Sequence, residues 1–244
     1  MKTYTSKKQT IWYDEALLEG SLEQIFDPEY WHASNKVIGA AQGRGTTWFV
    51  QTDRLPAALR HYRRGGLFGK LVKDRYWFTQ WHKTRSCEEF HLLQLLVEAG
   101  VNVPKPIAAR AKKHLLCYQA DILTQKIEGA EDLVSILQKQ PLGTDIYQRI
   151  GQQIRLLHNA NVNHTDLNIH NILLDKENKV WIIDFDKCHQ EPIRMESNVT
   201  VWQKSNLDRL LRSFQKELNK RGINWQQSSD WADLEFGYNQ EVII

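Results

Sequence analysis

Three polar residues in the second half of the sequence have types and spacing suited to phosphate chemistry. Asn171 follows Asp166 by five residues, and Asp184 ends the apolar run Val180-Trp-Ile-Ile183. Phosphoryl transfer requires a carboxylate that accepts the proton of the attacking hydroxyl, and oxygen ligands that hold Mg²⁺ on the phosphates. Mg²⁺ is bound by one or two carboxylates together with the phosphates of the substrate. The ordered set therefore predicts a phosphotransferase site, although each residue alone is typical of a turn cap.

The segments that contain these residues resemble two motifs of the protein-kinase superfamily. His164-Thr-Asp-Leu-Asn-Ile-His-Asn171 is similar to the catalytic loop H-x-D-x-x-x-x-N, and Asp184-Phe-Asp186 is similar to the metal-binding motif D-F-G. The resemblance implies that Asp166 is the catalytic base and that Asn171 and Asp184 bind metal. It also implies ATP and Mg²⁺ as cofactors.

Two residues depart from the usual protein-kinase pattern. Asp186 replaces the glycine of D-F-G, and Asn168 stands where many protein kinases have lysine. Both features occur in small-molecule kinases of the superfamily. Because no A-P-E anchor follows Asp184, we expect no protein substrate.

Three histidines near the catalytic loop, His158, His164 and His170, offer an alternative metal site. Kinase chemistry, however, needs no histidine ligand. We therefore expect His164 to hydrogen-bond within the catalytic loop and His158 to pack at a helix end.

Strand-like runs in the first third of the chain predict a β-rich region. These runs are Lys36–Ala41, Thr46–Val50 and Ala57–Tyr62. Gly43, Arg44 and Gly45 form the turn between the first two runs, and we predict that their backbone N–H groups cover the phosphates of ATP. The signal is weak by itself, because Trp48 stands where G-x-G-x-x-G has its third glycine.

A kinase site also needs a cation that contacts the phosphates and pairs with a helix glutamate. Arg60 is our candidate for the cation, with Lys70 and Lys73 as rivals. Glu89 is the predicted partner, on a helix that Gly100 ends. The alternative for Glu89 is a capping box with Ser86 at the start of that helix.

The rest of the chain changes from predicted strands to predicted helices. The predicted strands are Leu115–Tyr118, Ala120–Thr124, Asn171–Leu174 and Val180–Ile183, and the predicted helices cover 146–157 and 205–218. We expect an α+β fold of the bilobal protein-kinase-like type. Residues 1–124 would form a β-rich N-terminal lobe with one long helix, residues 125–244 a mainly helical C-terminal lobe, and ATP would bind in the cleft between them.

Composition narrows the class of protein. The net charge of +3 is too small to indicate a strong nucleic-acid field, and three distant cysteines suit neither a disulfide framework nor a C-x-x-C metal site. That cysteine usage fits a reducing cytoplasm. The sequence has neither an N-terminal signal-like stretch nor about 20 consecutive apolar residues, so we expect any membrane contact to be peripheral.

Basic and aromatic residues are concentrated near residue 70. Six cations and one acid lie between Arg60 and Arg75, followed by Tyr76-Trp-Phe78 and Trp81. Aromatic rings beside cations suit the lipid headgroup region. The alternatives are a solvated face for the cations and an ordinary core for the rings.

Beyond the kinase motifs, the chain resembles the bacterial 3-deoxy-D-manno-octulosonic acid (Kdo) kinases of lipopolysaccharide assembly, over roughly residues 35 to 215. The matching segments are Gly43–Phe49, Leu59–Gly66, Asp74–Phe78, Val103–Ala109, Ala120–Thr124, His164–Asn168, Val180–Asp186 and Asn206–Ser213. Leu-Arg-His-Tyr-Arg-Arg-Gly-Gly, at 59–66, is the segment that separates these kinases from antibiotic and choline kinases.

This resemblance implies transfer of the γ-phosphate of ATP to the 4-hydroxyl of a Kdo sugar on a lipid A precursor. It implies a Gram-negative source and a peripheral position on the cytoplasmic face of the inner membrane. The acceptor would carry a carboxylate and phosphates, which the basic run from Arg60 to Arg75 could bind.

Three other functions share parts of this pattern. A sugar, choline or aminoglycoside kinase would use the same Asp166, Asn171 and Asp184, although a cationic acceptor would favour an acidic lid that the sequence does not show. A non-catalytic binding protein on a kinase scaffold is a second alternative. An RNA-binding module is the third, and steep salt dependence of binding would reveal it; our prediction is that nucleic acid is not a partner.

Overall fold

The computed structural model of this protein describes residues 1–18, 21–43, 45–65, 73–192 and 200–240. The chain divides into two compact units, the first made of residues 1–94 with 104–127 and the second of residues 95–103 with 128–244. The first unit is built on a β-sheet and the second mainly on helices, so the predicted α+β class is confirmed.

An antiparallel sheet forms the first unit. Its strands are β1 (Lys2–Thr5), β2 (Gln9–Tyr13), β3 (Val37–Gln42), β4 (Thr46–Gln51), β5 (Pro56–His61), β6 (Tyr76–Trp77), β7 (Pro106–His114) and β8 (Cys117–Gln125). They lie in the order β1-β2-β7-β8-β5-β4-β3, and β6 pairs with β8. The three strands predicted between residues 36 and 62 are confirmed as β3, β4 and β5.

Apolar side chains from the central strands bury one face of this sheet. Ile11, Val50 and Ile107 are fully buried there. The short helix α1 (Pro28–Ala33) adds Trp31, whose indole Nε1 donates to the Ile25 carbonyl oxygen over 2.8 Å. A polar indole group is thereby satisfied within an apolar cluster.

Helix α2 (Arg85–Glu98) begins one residue before the predicted capping box. Ser86 therefore lies within the first turn, where its hydroxyl donates to the Arg110 carbonyl oxygen over 2.9 Å. The capping-box interpretation of Ser86 and Glu89 is wrong, because partners distant in sequence engage both side chains. The helix ends before Gly100, whose φ of +75° favours glycine, as the sequence predicted.

The hairpin between β7 and β8 corrects another prediction. The sequence placed Leu115–Tyr118 and Ala120–Thr124 on two separate strands, whereas Cys117 to Gln125 is one strand. Leu115 and Leu116 form the turn instead, and Leu115 has a φ of +55°. Strand propensity favoured these residues, but the pairing of β7 with β8 fixes the turn at this point.

The second unit is mainly helical. Its helices are α3 (Leu133–Leu137), α4 (Thr144–Asn159), α5 (Val201–Arg221) and α6 (Gln227–Asn239). Its short strands are β9 (Glu131–Asp132), β10 (Val162–Asn163), β11 (Ile172–Leu174), β12 (Val180–Ile182) and β13 (His189–Gln190). The two predicted helices lie within α4 and α5, and the two predicted strands correspond to β11 and β12.

Close packing of α4 against α6 stabilises the second unit. A Cβ at Gly151 would lie 2.1 Å from the Leu234 carbonyl oxygen, and a Cβ at Gly237 would lie 2.0 Å from that of Gln148. Only glycine allows the two backbones to approach this closely. Across the described residues, none of the helices is both long and apolar enough for a membrane span.

Candidate active site

The predicted catalytic loop connects β10 to β11 and fixes the backbone of Asp166. The Asp166 carbonyl oxygen accepts hydrogen bonds from Asn168 Nδ2 over 2.8 Å and from Asn171 Nδ2 over 3.0 Å. The Asp166 side chain is 51% exposed, and its Oδ1 lies 3.3 Å from Nη1 of Arg209 on α5. The loop therefore holds a carboxylate that a substrate can reach.

His164 joins this loop to the segment that carries Asp184. Its Nε2 donates to the Ile183 carbonyl oxygen over 3.0 Å, and the Ile183 N–H donates to the Asn171 carbonyl oxygen over 2.9 Å. Burial lowers the pKa of His164, which keeps the ring neutral. Within the described residues, the His164 ring thus bonds to the residue before Asp184 and not to the catalytic loop itself, where it was predicted.

Asp184 has an exposed side chain and a φ of +64°. This left-handed conformation is costly for a residue other than glycine. It follows Ile183, whose backbone N–H and carbonyl oxygen are both hydrogen-bonded to catalytic-loop residues. The contacts on Ile183 thus place Asp184 beside Asn171.

The buried side-chain amide of Asn206, on α5, is hydrogen-bonded to the catalytic loop. Asn206 Oδ1 accepts the His164 backbone N–H over 3.1 Å, and Asn206 Nδ2 donates to Asn163 Oδ1 over 2.9 Å. The structural role of this residue was not predicted from the sequence. Its signal was a polar residue in register with the buried Leu210 and Phe214, four and eight positions later on the helix.

His158, in the last turn of α4, completes this network. Its Nε2 lies 3.4 Å from Asn206 Oδ1, and its Nδ1 lies 2.8 Å from the Tyr238 hydroxyl oxygen. Burial lowers the pKa of His158 to about 3, so the ring is neutral at physiological pH. A neutral ring that donates to Asn206 and accepts from Tyr238 satisfies both nitrogens. The predicted packing of His158 at a helix end is confirmed.

In the first unit, Arg60 of β5 and Glu89 of α2 form the predicted ion pair, with Nη2 and Oε1 2.5 Å apart. The Tyr62 hydroxyl donates to the other carboxylate oxygen of Glu89. Glu89 is buried, whereas the Arg60 side chain is 29% exposed. Of the rival cations, Lys73 is exposed, and Lys70 lies outside the described residues. Contact of Arg60 and Glu89 with ATP stays a prediction.

The predicted glycine turn connects β3 to β4. The Gly43 N–H donates to the Gly45 carbonyl oxygen over 3.0 Å, while Arg44 lies outside the described residues. The Arg63 side chain lies against Gly45, because a Cβ at that glycine would come within 2.7 Å of Arg63 Cδ. The Gly43 N–H is thus engaged within the turn and, contrary to the prediction, is not left for a phosphate, whereas the Arg63 side chain lies beside the turn.

Comparison with known proteins places the chain in a family. Residues 28–238 match the model of the "Lipopolysaccharide kinase (Kdo/WaaP) family". A 3-deoxy-D-manno-octulosonic acid kinase of Vibrio parahaemolyticus is 60% identical over 96% of this chain and 95% of its own length. The kinases of the same name from Vibrio cholerae and Haemophilus influenzae are 57% and 51% identical, over 92% and 89% of this chain and 93% and 90% of their own lengths. The chain belongs to the lipopolysaccharide kinase (Kdo/WaaP) family. It is therefore a kinase, which agrees with the resemblance found in the sequence.

In this Kdo/WaaP kinase, Asn171 and Asp184 fit a magnesium site. Asn171 Nδ2 is engaged by the Asp166 carbonyl oxygen, so its Oδ1 is the atom left for a cation. Among the residues that the structure describes, no group of three or more His, Cys, Asp or Glu side chains could hold a metal ion. A site of one carboxylate and one amide oxygen suits Mg²⁺, which takes its other ligands from water and substrate phosphates.

A pocket of about 460 Å³ opens beside the Asp166 carboxylate of the kinase. Three cations of α5, Arg209, Arg212 and Lys216, line it. Acceptor binding was predicted for the run from Arg60 to Arg75, and no role was predicted for these cations. Their signal was a spacing of three and four residues, which places them on one helix face.

Proposed function

We propose that this kinase transfers the γ-phosphate of ATP to the 4-hydroxyl of a Kdo sugar on a lipid A precursor. The observation that carries the proposal is the half-exposed Asp166 carboxylate beside a basic pocket. Asn168 and Asn171 fix the backbone of this residue. The names of the relatives at 51–60% identity supply the Kdo sugar of the acceptor, and the resemblance found in the sequence implies its 4-hydroxyl and its lipid A part.

In the proposed reaction, Asp166 is the general base. Its carboxylate accepts the proton of the acceptor hydroxyl as that oxygen bonds to the γ-phosphorus. The bond from the γ-phosphorus to the bridging oxygen breaks, and ADP leaves with that electron pair. Arg209, 3.3 Å from Asp166 Oδ1, orients the carboxylate. The main role of these residues is to position the hydroxyl.

The nucleotide is assigned to the remaining predicted residues. Asn171 and Asp184 would hold Mg²⁺, which when bound neutralises charge on the phosphates of ATP. Arg60, whose orientation Glu89 fixes, supplies a cation for those phosphates. The Gly43 N–H is engaged by the Gly45 carbonyl oxygen, so the turn is assigned to the phosphates through the Gly45 N–H and the Arg63 side chain beside it.

Peripheral contact with the cytoplasmic face of the inner membrane is part of the proposal. The contact surface is the hairpin tip, which we define as Trp77, Leu115 and Leu116, exposed by 65%, 91% and 64%. The Phe78 N–H donates to the Leu116 carbonyl oxygen over 2.9 Å, and Trp77 pairs with Cys117, so the tip is continuous.

Lipid is the occupant that best fits the chemistry of this tip. Lys112, Lys113 and His114 precede the two leucines on β7. An apolar tip with cations beside it suits the boundary between acyl chains and anionic headgroups. Leu115 of the tip has a left-handed backbone conformation, which a residue without a bulky side chain would adopt more easily.

Sedimentation with phospholipid vesicles tests this surface. Changing Trp77, Leu115 and Leu116 together to Ser should weaken binding to vesicles with anionic lipid by at least about tenfold. Phe236→Ser, at another exposed apolar side chain, is the matched control and should bind as the wild type does. Equal binding by the triple variant would overturn the assignment. A concentration-dependent dimer that the triple variant abolishes would assign the tip to a second copy instead.

Phosphate transfer from labelled ATP to a Kdo-bearing lipid A precursor tests the reaction. With Mg²⁺, wild type should label the lipid, and Asp166→Asn should lower kcat by at least about a hundredfold. Asp145→Asn, at an exposed carboxylate on α4, is the control and should keep full activity. Transfer to a different sugar, with none to this lipid, would retain the kinase and reject the acceptor.

A further inference from the structure

A row of cations on α5 lies beside the candidate catalytic base. Arg209, Arg212 and Lys216 follow one another by three and four residues, so their side chains share one helix face. The row extends about 10 Å along the helix axis, at 1.5 Å per residue. The cations line the same pocket as Asp166, with Asn168, His170, Ser213 and Glu217 as the other lining residues.

The position of this row relative to the catalytic loop is fixed. The Ser213 hydroxyl accepts the Ile169 N–H over 3.0 Å and donates to the Leu210 carbonyl oxygen over 2.7 Å. One turn before the row, Asn206 accepts the His164 N–H. The cations therefore belong to a rigid element that is hydrogen-bonded to the loop carrying Asp166.

The charges of the pocket do not cancel. Arg209 contacts the Asp166 carboxylate, and the buried Glu217 is paired with Arg221 over 2.8 Å. Neither Arg212 nor Lys216 forms an ion pair with a carboxylate of the described residues, and both are exposed. Two cations of the pocket are thus available to an anion.

A solvated helix face is the ordinary explanation of such a row. Like charges at these spacings, however, repel one another and destabilise an isolated helix. The row also lies in a concave site within reach of Asp166, where an acceptor must place its hydroxyl. These two features favour a binding role.

We propose that Arg212 and Lys216, together with Arg209, bind an anionic oxygen group of the acceptor and thereby place its hydroxyl at Asp166. This inference rests on the proposed function. The anionic group is either the carboxylate of the acceptor sugar or a phosphate of its lipid A part. A guanidinium binds either one bidentately, and an ammonium adds a point charge.

Steady-state kinetics with the Kdo-bearing lipid A precursor test the site. The double variant Arg212→Ala, Lys216→Ala should raise KM for the lipid at least about tenfold, because it removes two cations whose hydrogen bonds to an anion are charge-assisted and therefore strong. KM for ATP and kcat should stay within about twofold, since the nucleotide is assigned to other residues. Arg212→Lys should keep part of the affinity because it retains the charge.

Lys204→Ala is the matched control, because Lys204 is an exposed cation of the same helix that does not line the pocket. It should leave every kinetic constant unchanged. An unchanged lipid KM in the double variant would overturn the proposal. A merely structural role would instead raise both KM values and lower the melting temperature, which would also overturn it.

Two modified acceptors separate the sources of the anion. One has its sugar carboxylate converted to the methyl ester, and the other lacks the lipid A phosphates. Wild type should discriminate against one of them, and the double variant should lose that discrimination. If wild type and double variant discriminate equally against both acceptors, the row does not bind the anion.

Equilibrium binding of the unmodified lipid without ATP distinguishes failure of this site from failure of the proposed function. If wild type transfers no phosphate to the lipid, yet binds it more tightly than the double variant does, the site stands and the proposed reaction falls. Equal binding by both proteins would overturn the site even where wild type is active.

Discussion

The two units fix their functional side chains by different means. In the first unit, a buried carboxylate holds a cation, since Glu89 binds Arg60 and also accepts the Tyr62 hydroxyl. In the second unit, neutral groups hold the catalytic loop, since Asn206 binds the backbone N–H of His164. Charge is buried and paired beside Arg60, whereas in the second unit Asp166 keeps its carboxylate half-exposed.

This difference follows from what each side chain must do. A cation assigned to phosphates keeps one charge throughout, and a buried carboxylate orients it strongly. A general base gains and loses a proton in each cycle, so a fixed charge buried beneath it would bias its ionisation. Neutral amide and imidazole groups hold the loop from within the unit, and Arg209, the cation that contacts Asp166, is half-exposed and not buried beneath it. The comparison makes three predictions, beginning with the largest expected effect.

Glu89→Gln tests the charged side of the comparison. Arg60 would lose the carboxylate with which it pairs, and removal of one partner from a buried ion pair costs about 3–5 kcal/mol. Because Arg60 keeps some contact with water, we expect about 3 kcal/mol of lost stability, measured by urea denaturation. KM for ATP should rise as well. Glu98→Gln, at an exposed position on the same helix, should change neither. If Glu89→Gln is as stable as wild type, the carboxylate does not hold the first unit's cation.

The pH dependence of stability tests the neutral side. The pKa of His158 falls from 6.5 to about 3 on folding, so the unfolded chain binds the proton more tightly. The contribution of His158 is therefore complete above pH 6.5 and is lost as the pH falls from 6.5 towards 3. At pH 4.5 the loss should be about 2–3 kcal/mol.

Urea denaturation between pH 7.5 and 4.5 measures this dependence, and His158→Gln supplies the comparison. The variant should be less stable at neutral pH but should lose less stability on acidification, because it has no imidazole to protonate. Identical pH profiles for the two proteins would mean that His158 is not held neutral, and the contrast between the units would fail.

Sequence patterns predicted the parts of the site that are close together along the chain. Asp166, Asn171 and Asp184 have a spacing that one loop and one strand end impose. Arg60 and Glu89 are 29 residues apart, yet their pair was also predicted and is present. The strand β5 and the next helix along the chain, α2, are neighbours in the structure. Asn206 was not found, because its role comes from a contact with a residue 42 positions away.

Local propensity failed where distant partners decide the structure. Ser86 and Glu89 have the spacing of a capping box, but β7 and β5 supply their actual partners. Leu115 and Leu116 have strand-forming neighbours, but the register of β7 and β8 makes them the turn. In both cases a tertiary contact outweighs an effect of about 1 kcal/mol.

Asn206→Ala is the mildest test of the comparison. It removes the acceptor of the His164 N–H, and an unsatisfied buried donor costs about 1–3 kcal/mol. Water can enter the small cavity left by the missing side chain and hydrogen-bond this donor, whereas a buried charge has no such substitute. We therefore expect a loss of stability of about 2 kcal/mol, less than for Glu89→Gln.

The kinetic effect separates Asn206 from an ordinary buried residue. Because Asn206 holds the backbone of the catalytic loop, its removal should lower kcat about tenfold and leave KM for ATP unchanged, the reverse of the expectation for Glu89→Gln. Asn224→Ala, which removes a single bond to the Leu137 carbonyl oxygen far along the chain from the loop, should keep kcat. A fall in stability without a fall in kcat would show that the neutral network supports the fold alone, and that Asp166 is positioned by Asn168 and Asn171 without it.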